Sequence, residues 1–192
     1  MLAWTVEAFQ QAKAIDGIIL VVAREQVGLA RRLRCSKIIK VVPGGRERQD
    51  SVRNGLNVLP ESAEIVVIHD GARPAVTQEM IERSVKAARK YGAAVVGVPV
   101  KDTIKAVSLN RSAVSQTVDR SGLWQAQTPQ AFRADTIKQA YAKLRGRVTD
   151  DAMAVEKLGI PVKMVMGSYD NIKVTAPADL KIVDAILKER RK

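Results

Sequence analysis

The sequence predicts an α/β fold: a Rossmann-like, doubly wound and mostly parallel sheet with helices on both faces. Short runs of consecutive apolar, β-branched residues alternate with segments of helical periodicity, and such runs are typical of strands buried on both faces. The order strand, helix, strand, helix implies right-handed crossovers. With 192 residues, the chain is expected to form one domain over residues 1–192.

The first half of the chain supplies most of this alternation. Apolar residues at helical spacing open the chain, Thr77 suits a helix N-cap, and Gly92 suits a helix stop. The predicted strands cover residues 18–23, 37–42, 65–68 and 93–98. The predicted helices cover residues 2–13 and 25–33, a segment that begins just after Gly44-Gly45, and residues 77–90.

The alternation breaks between about residues 101 and 128. Two less apolar stretches, 104–107 and 113–118, flank the polar turn 108–112 and predict an antiparallel β-hairpin inserted as an arm. An arm with so little core of its own is expected to pack on another surface. The elements predicted after it are helix 134–144, helix 150–158 with Thr149 as cap and Gly159 as stop, strand 162–166, extended segment 171–174 and helix 177–190.

Composition restricts the partners. A net charge of +12 favours anionic ligands, which include nucleic acid, acidic membranes and phosphorylated small molecules. Aromatic residues make up only 4% and no nucleic-acid-binding motif is present, so we expect no nucleic acid partner. No apolar run reaches membrane-spanning length, and the single cysteine, Cys35, fits a reducing compartment. We therefore expect a cytoplasmic protein without a membrane partner.

Ionisable residues are concentrated directly after the predicted strand 65–68. Asp70 and Arg73 follow it, and the carboxyl ends of strands are where open α/β sheets bind ligands. Charged groups beside a core need either a ligand or each other, and on the residues alone both interpretations stay open. For His69 a structural role is favoured over that of a catalytic base, because no second histidine, serine or cysteine motif accompanies it.

Three further places could contact a ligand. Gly44-Gly45 between a strand and a helix fits either a ligand cradle or a plain turn, and the arginines that follow, Arg46 and Arg48, fit a solvated basic face. Arg120, at the end of the hairpin, is either an exposed arm tip or a phosphate ligand for another subunit's cleft. Lys173 is either a surface lysine or a group that stabilises charge at phosphorus.

Five segments together resemble one family, that of 2-C-methyl-D-erythritol 4-phosphate cytidylyltransferase. In chain order they are GGRERQDSV at 44–52, IHDGARP at 68–74, TVDRSGLWQAQTPQAF at 117–132, TDDA at 149–152 and DNIKVT at 170–175. The resemblance implies a nucleotidyltransferase-type fold and a homodimer held by the arm. It also implies transfer of CMP from CTP to 2-C-methyl-D-erythritol 4-phosphate in non-mevalonate isoprenoid biosynthesis, with release of pyrophosphate and with bound Mg²⁺.

The resemblance also implies roles for individual residues. It implies that Gly44, Gly45 and Ser51 contact the nucleotide, that Asp70, Arg120 and Lys173 are catalytic, and that Arg73, Thr149 and Thr103 bind the sugar phosphate. Arg120 would come from the arm of a partner subunit. Lys173 would position the sugar phosphate for attack on the α-phosphorus of CTP.

The sequence departs from the family pattern at its start. Family members begin with a strand and a glycine-rich loop whose arginine and lysine hold the triphosphate, whereas this sequence opens at the helix that follows. We therefore expect very weak CTP binding and little turnover from the chain as given. Arg46 replaces an acidic residue of many relatives and is expected to alter the rim of the base pocket.

Three other functions are considered. A ribitol 5-phosphate cytidylyltransferase shares the HD-ARP element and the arm, although DRSGLW with TPQAF favours the methylerythritol enzyme. A catalytically inactive dimeric remnant is the second. A basic nucleic-acid-binding protein is the third, and strongly salt-dependent binding to random DNA would identify it.

Overall fold

The computed structural model describes residues 1–108 and 112–190. Most of the predicted turn 108–112 therefore lies outside the described residues. The α-helices are α1 (Leu2–Gln11), α2 (Val27–Ala30), α3 (Arg48–Leu56), α4 (Gln78–Tyr91), α5 (Ala134–Lys143), α6 (Asp151–Glu156) and α7 (Pro177–Glu189), with a 3₁₀ turn at Arg24–Gln26. The strands are β1 (Ile18–Val22), β2 (Ile38–Pro43), β3 (Ile65–Ile68), β4 (Ala93–Pro99), β5 (Ile104–Val107), β6 (Val114–Val118), β7 (Trp124–Arg133) and β8 (Lys163–Met166).

The central sheet has the strand order β3-β7-β4-β8. Strand β7 runs antiparallel to both β3 and β4, and β8 runs parallel to β4, so three of these four strands share one direction. Strands β1 and β2 form a separate parallel pair, and β5 and β6 form the antiparallel hairpin of the arm. The predicted α/β fold with a mostly parallel sheet and an inserted hairpin is confirmed.

Strand β3 is covered on both faces, as its apolar run predicted. Val66 belongs to a core cluster that contains Phe132 and Ile137, while its neighbours Ile65 and Val67 pack against a second cluster around Met80. Successive side chains of a strand point to opposite faces, so the two clusters lie on opposite sides of the sheet. Helices α5 and α6 cover one face, and helices α1 and α4 cover the other.

Helix α4 begins and ends where the sequence predicted. The Thr77 hydroxyl accepts a hydrogen bond from the Met80 amide at 3.2 Å, and Gly92 adopts a φ of 88°, which a side chain would disfavour. The prediction for α6 was wrong by one residue. Its N-cap is Asp150 instead of Thr149, because the Asp150 carboxylate accepts from the Met153 amide at 2.9 Å.

Strand β7 was not predicted. It begins at Trp124, inside the stretch expected to form the arm, and it lies between β3 and β4 in the sheet. Its polar residues conceal it in the sequence: Gln127, Thr128 and Gln130 are buried, and all three make hydrogen bonds there. The pairing with β4 shifts register between Val95 and Gly97, so β7 bulges at this polar stretch.

A cavity of about 800 Å³ lies between β1 and β3. Every residue of β1 and every residue of β3 lines it, whereas a sheet face would present only alternate residues. The cavity therefore lies against the edges of the two strands. Within the described part of the chain, neither strand has a hydrogen-bonded neighbour on this side. Apolar side chains of α1 and α3, including Val6, Phe9 and Leu56, complete its walls.

We expect amide hydrogen exchange to differ between the strands. Strand β4 is paired on both sides, whereas β1 and β3 each have an edge on the cavity, so their amides should exchange faster than those of β4. Exchange followed by mass spectrometry on peptides covering residues 18–22, 65–68 and 93–99 measures this order. Equal protection in all three peptides would contradict an open cavity between two strand edges.

Candidate functional site

The candidate site is organised around the carboxylate of Asp70, immediately after β3. Among the described residues three cations reach it: Arg48 Nε lies 3.1 Å from Oδ1, Lys173 Nζ lies 3.2 Å from Oδ2, and Arg73 Nε lies 3.5 Å from Oδ2. The Asp70 side chain is 13% exposed, so the charges interact in a partly desolvated setting. The sequence left open whether Asp70 and Arg73 pair with each other, and they do.

Arg48 joins this cluster to a second carboxylate. While its Nε donates to Asp70, its Nη2 donates to Asp151 Oδ2 at 2.6 Å. The Asp151 side chain is completely buried, and its other oxygen accepts from the Tyr141 hydroxyl at 2.5 Å. The expected solvated basic face is wrong for Arg48, because its guanidinium points inward and bridges two acids. Arg46 is exposed, as expected.

The start of α6 fixes the position of Asp151. Gln130 of β7 accepts through Oε1 from the amides of Asp151 at 3.1 Å and Ala152 at 2.9 Å, and it donates through Nε2 to the Asp150 carboxylate at 2.9 Å. The side chain of Gln130 thus satisfies the free backbone donors at a helix start. This arrangement accounts for a buried glutamine within a central strand.

His69 connects the same loop to β7. The Thr128 hydroxyl oxygen accepts from the Asp70 amide at 3.1 Å and lies 3.0 Å from His69 Nδ1, while His69 Nε2 lies 3.1 Å from the Arg73 carbonyl. We assign Nε2 as the protonated nitrogen, since a carbonyl can only accept, and Nδ1 then accepts from the Thr128 hydroxyl. Both ring nitrogens are engaged, which supports the structural role favoured for His69.

Lys173 and Arg73 are held by an irregular segment rather than by a strand. The Val174 amide donates to the Ala72 carbonyl at 2.8 Å, and Arg73 Nη1 donates to the Asn171 carbonyl at 2.8 Å. The buried Asn171 side chain donates to the Thr128 carbonyl at 2.8 Å. These bonds tie the segment to the loop after β3 and to β7, so Lys173 lies beside Asp70 although 103 residues separate them in the sequence.

Burial and neighbouring charges shift the pKa values of the residues in this cluster. Burial acts to raise the pKa of Asp70, but the nearby charges of Arg48 and Lys173 outweigh it and lower that pKa. Burial lowers the pKa of Arg73. Burial also acts to lower the pKa of Arg48, yet Asp151 and Asp70 raise it overall, so Arg48 stays charged. Burial, followed by the charge of Asp151, raises the pKa of Tyr141 and keeps its hydroxyl protonated.

The glycine pair lies at the start of α3, close to Ser51. The Ser51 hydroxyl accepts from the Gly45 amide at 3.0 Å, and the Gly44 amide donates to the Val22 carbonyl at 2.7 Å. A Cβ atom on Gly45 would overlap the Cβ of Asp50, and one on Gly44 would lie 2.9 Å from the Ser51 oxygen. Close packing on the helix therefore requires both glycines. Because both amides are engaged, the turn accounts for the sequence without a ligand.

The structure leaves three of the sequence-predicted residues outside this cluster. Arg120 is exposed on the arm, where its guanidinium donates to the Lys101 carbonyl. Thr103 is exposed just before β5, and Thr149 is exposed beside α6, with its hydroxyl 3.6 Å from Met153 Sδ. The contacts described for this chain join none of the three to Asp70.

Three residues of the network, Thr128, Gln130 and Asp151, were missed by the sequence analysis, and Arg48 was named only as part of a solvated basic face. Each lies within a segment that carries the family resemblance, but its individual role depends on contacts over long sequence distances. The segment TDDA at 149–152 contained a signal for Asp151, because this second aspartate directly follows a suitable N-cap. In a helix that packs on a core, such a carboxylate needs a cationic partner.

The described residues do not build a metal site on their own. No group of three or more histidine, cysteine, aspartate or glutamate side chains among them is placed to hold an ion. Both oxygens of Asp70 already accept from cations, and Asp151 is paired with Arg48 and Tyr141. A Mg²⁺ ion held by a protein cage therefore does not fit this arrangement.

The fold and the site together define a class. A Rossmann-like sheet with Arg48, Arg73 and Lys173 gathered around the carboxylate that follows β3 has the architecture of the open α/β proteins, which bind ligands at the carboxyl edge of the sheet. Among the described helices, none is long and apolar enough to cross a bilayer.

Comparison with known proteins identifies the family. The family model "IspD: 2-C-methyl-D-erythritol 4-phosphate cytidylyltransferase" matches residues 1–189, and the chain belongs to this family. The enzyme of that name from Alkaliphilus metalliredigens is 46% identical over 195 residues, covering 97% of this chain and 80% of the relative. The enzyme of that name from Clostridioides difficile is 45% identical over 194 residues, covering 97% and 81%.

Solved structures agree with the sequence comparison. The 4-diphosphocytidyl-2C-methyl-D-erythritol synthase of Anaerococcus prevotii superposes with a TM-score of 0.89 at 32% identity, covering 97% of this chain and 85% of that one. The 2-C-methyl-D-erythritol 4-phosphate cytidylyltransferase of Thermus thermophilus gives a TM-score of 0.80 at 31% identity, covering 96% and 87%. The predicted family and fold are thus confirmed.

Stability is expected to fall below neutral pH because of His69. Burial lowers its pKa to about 4, below the value of 6.5 expected in the unfolded chain. The unfolded state therefore takes up a proton first as the pH falls, so stability is lost between about pH 6.5 and pH 4. The loss is at most about 3 kcal/mol.

Urea denaturation at several pH values between 7 and 4 measures this loss. His69 is the only histidine, so His69→Gln removes the titration and should flatten this part of the profile. The lowered pKa of Asp70 acts in a more acidic range, since its stabilising effect is lost only below its unfolded value of 3.8. An unchanged slope in His69→Gln would show that another group titrates.

Proposed function

We propose that this chain transfers CMP from CTP to 2-C-methyl-D-erythritol 4-phosphate and releases pyrophosphate. A phosphate oxygen of the sugar phosphate attacks the α-phosphorus of CTP, and the bond from this phosphorus to the bridging oxygen of the β-phosphate breaks. Family membership supports this reaction, because the curated relatives carry the corresponding name. The comparisons do not favour the ribitol 5-phosphate alternative or the inactive remnant.

The observation that carries the proposal is the placement of Lys173 and Arg73 beside the same carboxylate oxygen of Asp70, Oδ2. Two anions must approach each other in this reaction, so the cleft needs cations whose positions are already set. Lys173 is 42% exposed and Arg73 is 12% exposed, and both are oriented by the same carboxylate. In this mechanism Lys173 contacts the sugar phosphate and the charge that develops at phosphorus, while Arg73 binds the phosphate from the more buried side.

The other residues implied by the family resemblance complete the proposal. Thr149 and Thr103 bind the sugar phosphate, and Gly44, Gly45 and Ser51 form the edge of the nucleotide subsite. Gly44 and Gly45 contribute mainly through shape, because their amides already have partners. Mg²⁺ fits as an ion bound by triphosphate oxygens and water, a common mode for this ion, since the described side chains offer no cage.

The arm supports the proposal of a homodimer. Val107 and Val114 pair across β5 and β6, yet they are 53% and 59% exposed, so the hairpin leaves apolar surface without an internal partner. An arm that exchanges between two subunits would cover this surface and deliver Arg120 to the neighbouring cleft. A cytoplasmic location is part of the same proposal and rests on the single cysteine and the reaction's intracellular substrates.

The reaction and the role of Lys173 can be tested together. Pyrophosphate release that requires both CTP and the sugar phosphate should fall by about 10² to 10³ in kcat for Lys173→Met, because one donor to the transition state is lost. Lys138→Met on the exposed side of α5 is the matched control and should keep the full rate. Equal rates in Lys173→Met and the control would rule out this role, and ribitol 5-phosphate as competitor tests substrate choice.

The shared cleft can be tested by mixing two inactive variants. Arg120→Ala keeps a complete cleft but supplies a defective arm, while Asp70→Asn supplies an intact arm. Random exchange of subunits gives half mixed dimers with one complete cleft each, so about a quarter of the wild-type activity should return. Sedimentation of the mixture monitors dimer formation. If no activity returns although mixed dimers form, Arg120 does not act across the interface.

A further inference from the structure

We propose that Arg48, fixed by Asp151, is a positioning residue that keeps Asp70 oriented and ionised while Arg73 and Lys173 bind the substrate phosphate. This inference rests on the proposed function. It extends that function to two residues behind the substrate-binding groups, because neither Arg48 nor Asp151 is expected to touch the substrate.

The geometry separates Arg48 from Lys173. Arg48 uses two different nitrogens for two different carboxylates, with 3.1 Å to Asp70 and 2.6 Å to Asp151. The ion pair described for Lys173 involves only Asp70, and its side chain is 42% exposed. A phosphate that enters the cleft can therefore attract Lys173, whereas Arg48 is held from behind.

Asp151 is a rigid anchor for this purpose. Its side chain is completely buried, its Oδ1 accepts from the Tyr141 hydroxyl at 2.5 Å, and its amide donates to Gln130 at 3.1 Å. Moving Arg48 away from Asp151 would leave a buried charge without its cation, which is strongly unfavourable. Arg48 consequently stays in place when the neighbouring charges rearrange.

The need for such a residue follows from the reaction. Once Lys173 and Arg73 turn toward an incoming phosphate, Asp70 would face that phosphate as an uncompensated negative charge. It would then repel the substrate or take up a proton, and in either case lose its hold on the two cations. Arg48 offsets this charge on the side away from the substrate.

The charged and titratable groups that face Asp70 come from three parts of the described chain. Helix α3 contributes Arg48, the loop after β3 contributes Arg73 and the neutral His69, and the segment after β8 contributes Lys173. Removing Arg48 should make Asp70 easier to protonate, because one of the two cations that lower its pKa is lost. As the pH is lowered, substrate binding should then be lost at a higher pH than in the wild type.

Two measurements test this inference. The first is the carbon-detected NMR titration of the Asp70 carboxyl group, and the second is calorimetric binding of the sugar phosphate from pH 7 down to pH 3. Arg48→Gln should move both midpoints upward by about one pH unit, and Arg48→Lys should restore part of the shift. Asp151→Asn keeps the arginine but removes its anchor, so it should weaken sugar phosphate binding without moving the Asp70 midpoint upward. Arg83→Gln on α4 removes a helix arginine that pairs with Glu79 and should change neither profile.

The outcomes separate positioning from plain stabilisation. In Arg48→Gln, an Asp70 midpoint that does not move, or one that moves while the binding profile stays in place, would overturn the inference and leave Arg48–Asp151 as a structural ion pair. If Asp151→Asn does not fold, Tyr141→Phe loosens the anchor by one hydrogen bond and should weaken sugar phosphate binding by a smaller factor. A wild type that does not bind the sugar phosphate would instead refute the proposed function, whereas the NMR titration of Asp70 depends on neither binding nor turnover.

Discussion

One partly desolvated carboxylate, that of Asp70, determines how the surrounding structure is arranged. Burial makes its charge costly, and three cations from separate parts of the chain offset this cost. Each cation is itself anchored: Arg48 by Asp151, Arg73 by the Asn171 carbonyl, and Lys173 by the backbone pairing of Val174 with Ala72. The same contacts that permit a buried charge thus bring helix α3, strand β3 and the segment after β8 together.

Strand β7 gives this cluster its support. It occupies the position between β3 and β4, and its bulge turns polar side chains toward both the Asp70 loop and the start of α6. Thr128 binds the Asp70 amide and His69, while Gln130 binds the start of α6 beside Asp151. A central strand that carries hydrogen-bonding side chains at one end links the two carboxylates, Asp70 and Asp151, through one rigid element.

The sequence was sufficient to predict the structure wherever a local pattern determines it. The apolar run at 65–68, the Thr77 cap and Gly92 predicted β3 and α4 correctly, and the charged residues after β3 pointed to the site. The sequence was insufficient to predict features that depend on tertiary contacts. Polar β7 lacks the usual strand pattern, and the bridge from Arg48 to Asp151 spans 103 residues without any periodic signal. Thr149 and Asp150 are both good caps, and the choice between them depends on the burial of Asp151.

The cavity between β1 and β3 has a consequence for the mechanics of the molecule. Among the described residues, the β1–β2 pair has no strand ladder to the central sheet. The two layers are held together by apolar packing around α1 and by contacts of α3, such as that of Arg48 with Asp70. This pair can therefore separate from the central sheet without breaking a strand ladder. It leads into the Gly44-Gly45 loop, while Asp70 belongs to the other layer. A ligand that contacts both the Gly44-Gly45 loop and Asp70 bridges the two layers. By mass action, its binding raises the free energy needed to separate them.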